Sequence, residues 1–129
     1  MAARISRPES GAVLVFSGLV RNEHNQKTVL AVTYDAHVVL AQEVLKQICT
    51  EIHSRTGAQI AIAHRTGPVA VGEASVIIAV GAPHRAEAYE ASRTALEEIK
   101  TRLPVWKKEH YEDGESQWLP GHSLRTHAE

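Results

Sequence analysis

The sequence holds one cysteine, one phenylalanine and one methionine among 129 residues, and aromatic residues make up only 5% of it. A single cysteine, Cys49, can form neither an internal disulfide nor a cysteine-cluster zinc site. It sits in an apolar-periodic stretch and reads as a buried thiol, with no neighbour in sequence to activate it as a nucleophile. No run approaches the roughly 18 apolar residues that a membrane-spanning helix needs. The opening MAARISRPESG lacks the apolar core of a signal peptide, so the expected compartment is the cytoplasm. Neither sign of charge dominates, with 14 Lys and Arg against 15 Asp and Glu. There is thus no global field to draw the chain to nucleic acid or to an anionic membrane. The phosphate-binding GxxxxGK[ST] loop, GxGxxG, HExxH and GxSxG are all missing. His64 and His84 have no second ligand at a familiar metal spacing, and no metal site is expected.

What is present suits one soluble domain. The apolar share of 43% and charged share of 22% are ordinary for a globular chain of this length. Residues 12–20, AVLVFSGLV, read as a buried strand, with Gly18 marking a bulge or a close backbone approach. Residues 21–27 read as a polar surface loop, and Thr28–Ala36 as an alternating strand. Over 38–55 the period becomes helical, with Ala41, Val44, Leu45, Ile48 and Ile52 on one face and Gly57 as a stop. A strand at Gln59–His64, a turn or loop at Arg65–Val71 and a strand at Glu73–Gly81 come next. The last of these is apolar on both faces, as a covered strand is. A second helix is expected from about Pro83 to Arg102, with Pro83 at its first position and Pro104 ending it. Val105–Tyr111 alternates, Asp113-Gly114 signals a tight turn, and Ser116–Leu119 returns. Trp106 and Trp118 are expected to anchor this hairpin to the core. Residues 120–129 read as a flexible tail, in which His122 and His127 are assigned no role. The predicted fold class is α+β, a mixed or antiparallel sheet with two main helices.

Cations fall at the ends of these elements. Arg21 closes the first strand. His84 and Arg85 open the second helix, where unpaired backbone N–H groups already favour an anion. Lys100 lies one turn before Pro104 and Lys107 three residues after it, so a chain reversal would bring the two together. Two ammonium groups held close lower the pKa of one and make a neutral amine available as a proton acceptor. The competing reading for each is a solvated or snorkelling surface cation.

Four blocks in order resemble the large, catalytic subunit family of molybdopterin synthases: GAVLVFSGLVRN at 11–22, IAHRTGPVAVGEASVIIAV at 62–80, HRAEAYEA at 84–91 and LEEIKTRLPVWKKEHYEDGESQW at 96–118. The last block, with its Lys-x-x-x-Pro-x-Trp-Lys-Lys-Glu, is the most specific. The resemblance implies an α/β-hammerhead-like fold and a sulfurtransferase. It also implies conversion of cyclic pyranopterin monophosphate to molybdopterin, with sulfur from the C-terminal Gly-Gly thiocarboxylate of a small ubiquitin-like partner. A homodimer would form the core of a heterotetramer, with no metal or organic cofactor. Lys100 and Lys107 match the family's catalytic lysines. Arg21, His84 and Arg85 match positions that bind the anionic precursor or the partner's tail. Arg125 is the one tail arginine able to stand for a basic residue from the second subunit. One domain, residues 1–129, is expected, without the strand and helix that usually precede the GAV-like block. The alternatives are a non-catalytic binding module for the sulfur carrier and a general anion- or nucleotide-binding protein.

Overall fold

A computed structural model of the chain describes residues 5–120. The elements run β1 (Ala12–Leu19), β2 (Glu23–His24), β3 (Lys27–Ala36), α1 (Val38–Thr56), β4 (Gln59–His64), β5 (Gly67–Ala70), β6 (Ala74–Ala82), α2 (Arg85–Arg102), β7 (Val105–Tyr111) and β8 (Ser116–Pro120). Strands β1, β6 and β4 form one sheet with β6 at its centre. Strands β2, β3, β7 and β8 form a second, and β5 also pairs with β3. Every pairing is antiparallel. The fold is α+β with two main helices and a hammerhead-like topology, as the sequence leads one to expect.

Each helix is delimited by chemistry at its ends. His37 caps α1, its Nδ1 accepting the Leu40 N–H at 3.2 Å. Gly57 closes α1 at φ 78°, a left-handed conformation in which a Cβ would be strained. The α2 N-cap is His84, whose N–H donates to Glu87 Oε2 at 3.1 Å. Pro83 therefore precedes the cap instead of occupying the first helical position, because Glu87 reaches back to a backbone N–H that proline lacks. At the far end, Arg102 of α2 bonds Glu51 of α1 at 2.7 and 3.2 Å and Glu98 at 2.9 Å, joining the two helices.

Ala41, Ile48 and Ile52 of α1 and Ala88, Ala91, Ala95 and Ile99 of α2 pack on the inner face of the β1–β6–β4 sheet, against Val76, Ile78 and Val80. A second cluster, Val20, Val29, Val32, Val69 and Tyr111, fills the other sheet. Among the described residues no helix is long and apolar enough to cross a membrane.

Several local expectations change. The polar segment 21–27 is not all loop: β2 pairs with β3 through a two-residue hairpin in which Asn25 and Gln26 both take positive φ, 51° and 65°. That is the backbone of a type I′ turn, which strand twist favours even without glycine. Gly67–Ala70 is a strand on the edge of β3, where Pro68 is tolerated. Simple alternation sets Val29 and Val32 on opposite faces, yet both are buried in one cluster. Leu30 is an extra residue between the Val29–Tyr111 and Ala31–His110 pairs, and this bulge turns it outward. Gly18 marks a register shift in β1, and a Cβ there would lie 2.7 Å from Val76 Cγ1. Trp106 and Trp118 do not anchor the hairpin. They sit on its outer face, 43% and 53% exposed, and Lys108 lies 5.5 Å from the Trp118 ring. Cys49 is half-buried, and burial raises its thiol pKa. Arg125, His122 and His127 lie outside the described residues.

Ile78 is fully buried between both helices. Ile78→Ala is expected to lower stability by about 2–5 kcal/mol, through lost burial and a residual cavity. Urea denaturation checks this, with a change confined to less than half the lower bound counting against the packing.

Candidate active-site cleft

The two sheets meet at a cleft of about 470 Å³. Its walls come from distant parts of the chain: Phe16, Gly18 and Arg21 from β1 and its exit, Tyr34 from β3, His64 from β4, Lys100 from α2 and Lys107 from β7. The reversal at Leu103-Pro104 brings Lys100 and Lys107 to the same cavity, as their spacing suggests. The Leu103 N–H closes the helix on Ile99 O at 3.0 Å, and the next residues already belong to β7. Both lysines are half-buried and line the cavity.

The cleft does not gather every cation. His84 and Arg85 are exposed and border a separate depression with Gly11 and Pro83. That depression adjoins the start of β1, because Ala12 pairs with Ala82, whereas Arg21 follows the end of β1. Eight residues of strand separate the two places by about 26 Å. Within one chain, His84 and Arg85 therefore do not line the lysine cleft.

Behind Lys107 lies a buried polar group that spacing alone does not reveal. Glu109 is 5% exposed. Its Oε1 is 2.5 Å from His24 Nδ1 and accepts the Tyr111 hydroxyl at 2.8 Å, while Oε2 is 4.0 Å from Lys107 Nζ. A buried carboxylate is costly unless so surrounded. The signal was present in the β7 alternation, which sets Lys107, Glu109 and Tyr111 on one face. What hid the cluster was His24, delivered by the β2–β3 hairpin. Burial, together with the bond to Glu109, pushes the Tyr111 phenol up to about 12.

His64 stands on the opposite wall. Its ring meets Tyr34 edge-on, with centroids 5.2 Å apart, and its Nδ1 lies 2.8 Å from Arg65 O. Burial holds its pKa below the usual imidazole value. Among the described residues no cluster of three or more His, Cys, Asp or Glu side chains is placed to hold a metal ion. The arrangement offers cations for an anionic ligand, a neutral imidazole and a buried carboxylate behind one lysine.

Comparison with known proteins points the same way. The profile of the family described as MoaE protein matches residues 1–102. The chain is 45% identical over 126 residues to a Bacillus subtilis protein named molybdopterin synthase catalytic subunit, covering 97% of this chain and 79% of that one. A crystal structure of molybdopterin synthase from Staphylococcus aureus superposes with a TM-score of 0.87 at 39% identity, covering 92% of this chain and 86% of that one. A Burkholderia ambifaria structure described as molybdopterin biosynthesis MoaE protein gives 0.78 at 31% identity, over 98% of this chain and 81% of that one.

The Tyr111 phenol has a checkable consequence. Its folded pKa lies above the ordinary value of about 10, so the unfolded chain loses this proton first. The stability it supplies is complete below pH ~10 and is lost as pH rises through about 12. The tyrosinate ultraviolet band, assigned by its loss in Tyr111→Phe, should report that late step. In Glu109→Gln the step should move down yet stay above the ordinary value, since burial is the larger cause. An unmoved step would remove Glu109 as a contributor.

Proposed function

We propose, from the premise that this chain belongs to the MoaE protein family, that it is the catalytic subunit of a molybdopterin synthase. It transfers sulfur from the C-terminal Gly-Gly thiocarboxylate of a small ubiquitin-like subunit to cyclic pyranopterin monophosphate, forming the dithiolene. The observation that carries this reading is the convergence of Arg21, Lys100 and Lys107 on one cleft. Substrate phosphate and thiocarboxylate are both anions. Fixed cations in a partly desolvated cavity stabilise them together better than water can. Arg21 suits a bidentate grip on phosphate. Lys107 is the group for proton transfer or for holding the donor's carbonyl end. Lys100 orients the substrate and stabilises charge that develops on it.

A small-subunit partner is in keeping with the relative's name, since a catalytic subunit implies another. A homodimer gives His84 and Arg85 a use. The outer face of β1 exposes Val13 and Val15 at 47% and 53%, an apolar surface suited to a second copy. In such a dimer, His84 and Arg85 of one copy would complete the cleft of the other, and Arg125 is proposed for the same service.

Purified protein, cyclic precursor and thiocarboxylated small subunit test this, with product read by mass. Two sulfurs per product are expected. Lys100→Ala and Lys107→Ala should each reduce formation by about 10²-fold or more while small-subunit binding persists. A folded wild type that binds the small subunit and yields no product would leave a carrier-binding module as the better account.

A further inference from the structure

We infer that His64 is the proton acceptor of the cleft, its Nε2 lone pair taking a proton from the water that frees the carrier from transferred sulfur. The inference rests on the sulfur-transfer reading and assigns a residue that neither charge spacing nor the lysine pair singles out.

The tautomer follows from one bond. A carbonyl oxygen only accepts, so Nδ1, 2.8 Å from Arg65 O, carries the hydrogen. A neutral imidazole then has its lone pair on Nε2. That nitrogen makes no hydrogen bond among the described residues. No buried side-chain nitrogen or oxygen among them lacks a partner, so Nε2 opens to the cavity that His64 lines. The edge-on Tyr34 ring and the Arg65 carbonyl together hold the imidazole plane.

Cations share the cavity with His64. Arg21, Lys100 and Lys107 line the same cavity from β1, α2 and β7, and Tyr34 from β3. The neighbouring Arg65 side chain is directed to Glu73 at 3.4 Å, so this carboxylate is engaged away from the imidazole. Burial lowers the pKa of His64, outweighing the Arg65 carbonyl bond, which acts to raise it. At neutral pH the group is an unprotonated base among cations that only donate.

Such a base has a defined task. A thiocarboxylate that has given its sulfur to a carbon centre is an acyl thioester until the acyl–sulfur bond breaks. Water attacks the acyl carbon, a C–O bond forms, and the C–S electron pair leaves with sulfur as a thiolate. One water proton passes to Nε2. The other stays on the carboxyl product and is lost to solvent. The imidazolium then returns its proton to solvent, and no oxidant or reductant is consumed.

The test is a single-turnover measurement of carrier release against pH in wild type and His64→Asn. Asparagine keeps an N–H for the Arg65 carbonyl but offers no titrating lone pair. The variant is expected to release carrier about 10²–10⁴-fold more slowly, with carrier and precursor affinities unchanged. The wild-type rate should fall on acidification through one ionisation below the ordinary imidazole value of about 6.5, and His64→Asn should lack that limb. Nitrogen-15 NMR of the wild type should find Nδ1 protonated and Nε2 bare at neutral pH. This readout can overturn the inference even if the variant does not fold. A protonated Nε2, or a folded variant within about threefold of wild type with the acid limb intact, overturns the inference alone. Absence of any product from wild type overturns the sulfur-transfer reading beneath it.

Discussion

The turn at Leu103 and Pro104 is the constraint on which the rest depends. Leu103 is 1% exposed and ends α2 on the Ile99 carbonyl. Pro104 cannot donate, so the helix stops there, and its carbonyl accepts the His37 N–H at 3.3 Å, tying the start of α1 to the same point. Val105 then packs into the core of the first sheet while β7 pairs within the second. One break in periodicity thus joins two sheets, fixes both helices and sets Lys100 and Lys107 on one cavity.

The cavity mixes apolar and polar walls where two apolar cores meet. Tyr34 packs against both the Ile78 cluster and the Val32 cluster, and His64 and the lysines line the cavity beside it. Glu109 supplies a negative charge behind Lys107, with His24 and Tyr111 satisfying it. Cations line the cavity and a carboxylate lies behind one of them, so an anion entering it meets charge of the opposite sign.

Much of this was legible in residue order. Helical period located α1 and α2, alternation located β7, and Asp113-Gly114 located its turn. The lysine pair followed from a proline between two cations. What escaped was decided by tertiary partners. The Leu30 bulge depends on β7 lying opposite β3, and β5 is a strand only because β3 offers an edge. His64 gave no signal as an isolated histidine closing a strand, since its tautomer is set by a carbonyl and its setting by Tyr34. The tryptophans misled in the opposite sense: large apolar rings suggest core, but β7 alternation already put Trp106 on the face opposite Val105 and Glu109.

The pairing pattern carries a consequence for how the chain comes to be folded. Ala12 pairs with Ala82, and Val29 with Tyr111. During synthesis, β1 and most of β3 emerge long before the strands they bond, and in this first part of the chain the β2–β3 hairpin is what closes locally. Such distant closures carry a large loop entropy and slow the search for the native state. The first half of the chain therefore waits on the ribosome with an apolar strand, AVLVFSGL, unpaired. Nascent chains of this topology depend on synthesis reaching β6 at Ala74–Ala82, and on whatever shields that strand meanwhile, more than on any property of the finished cleft.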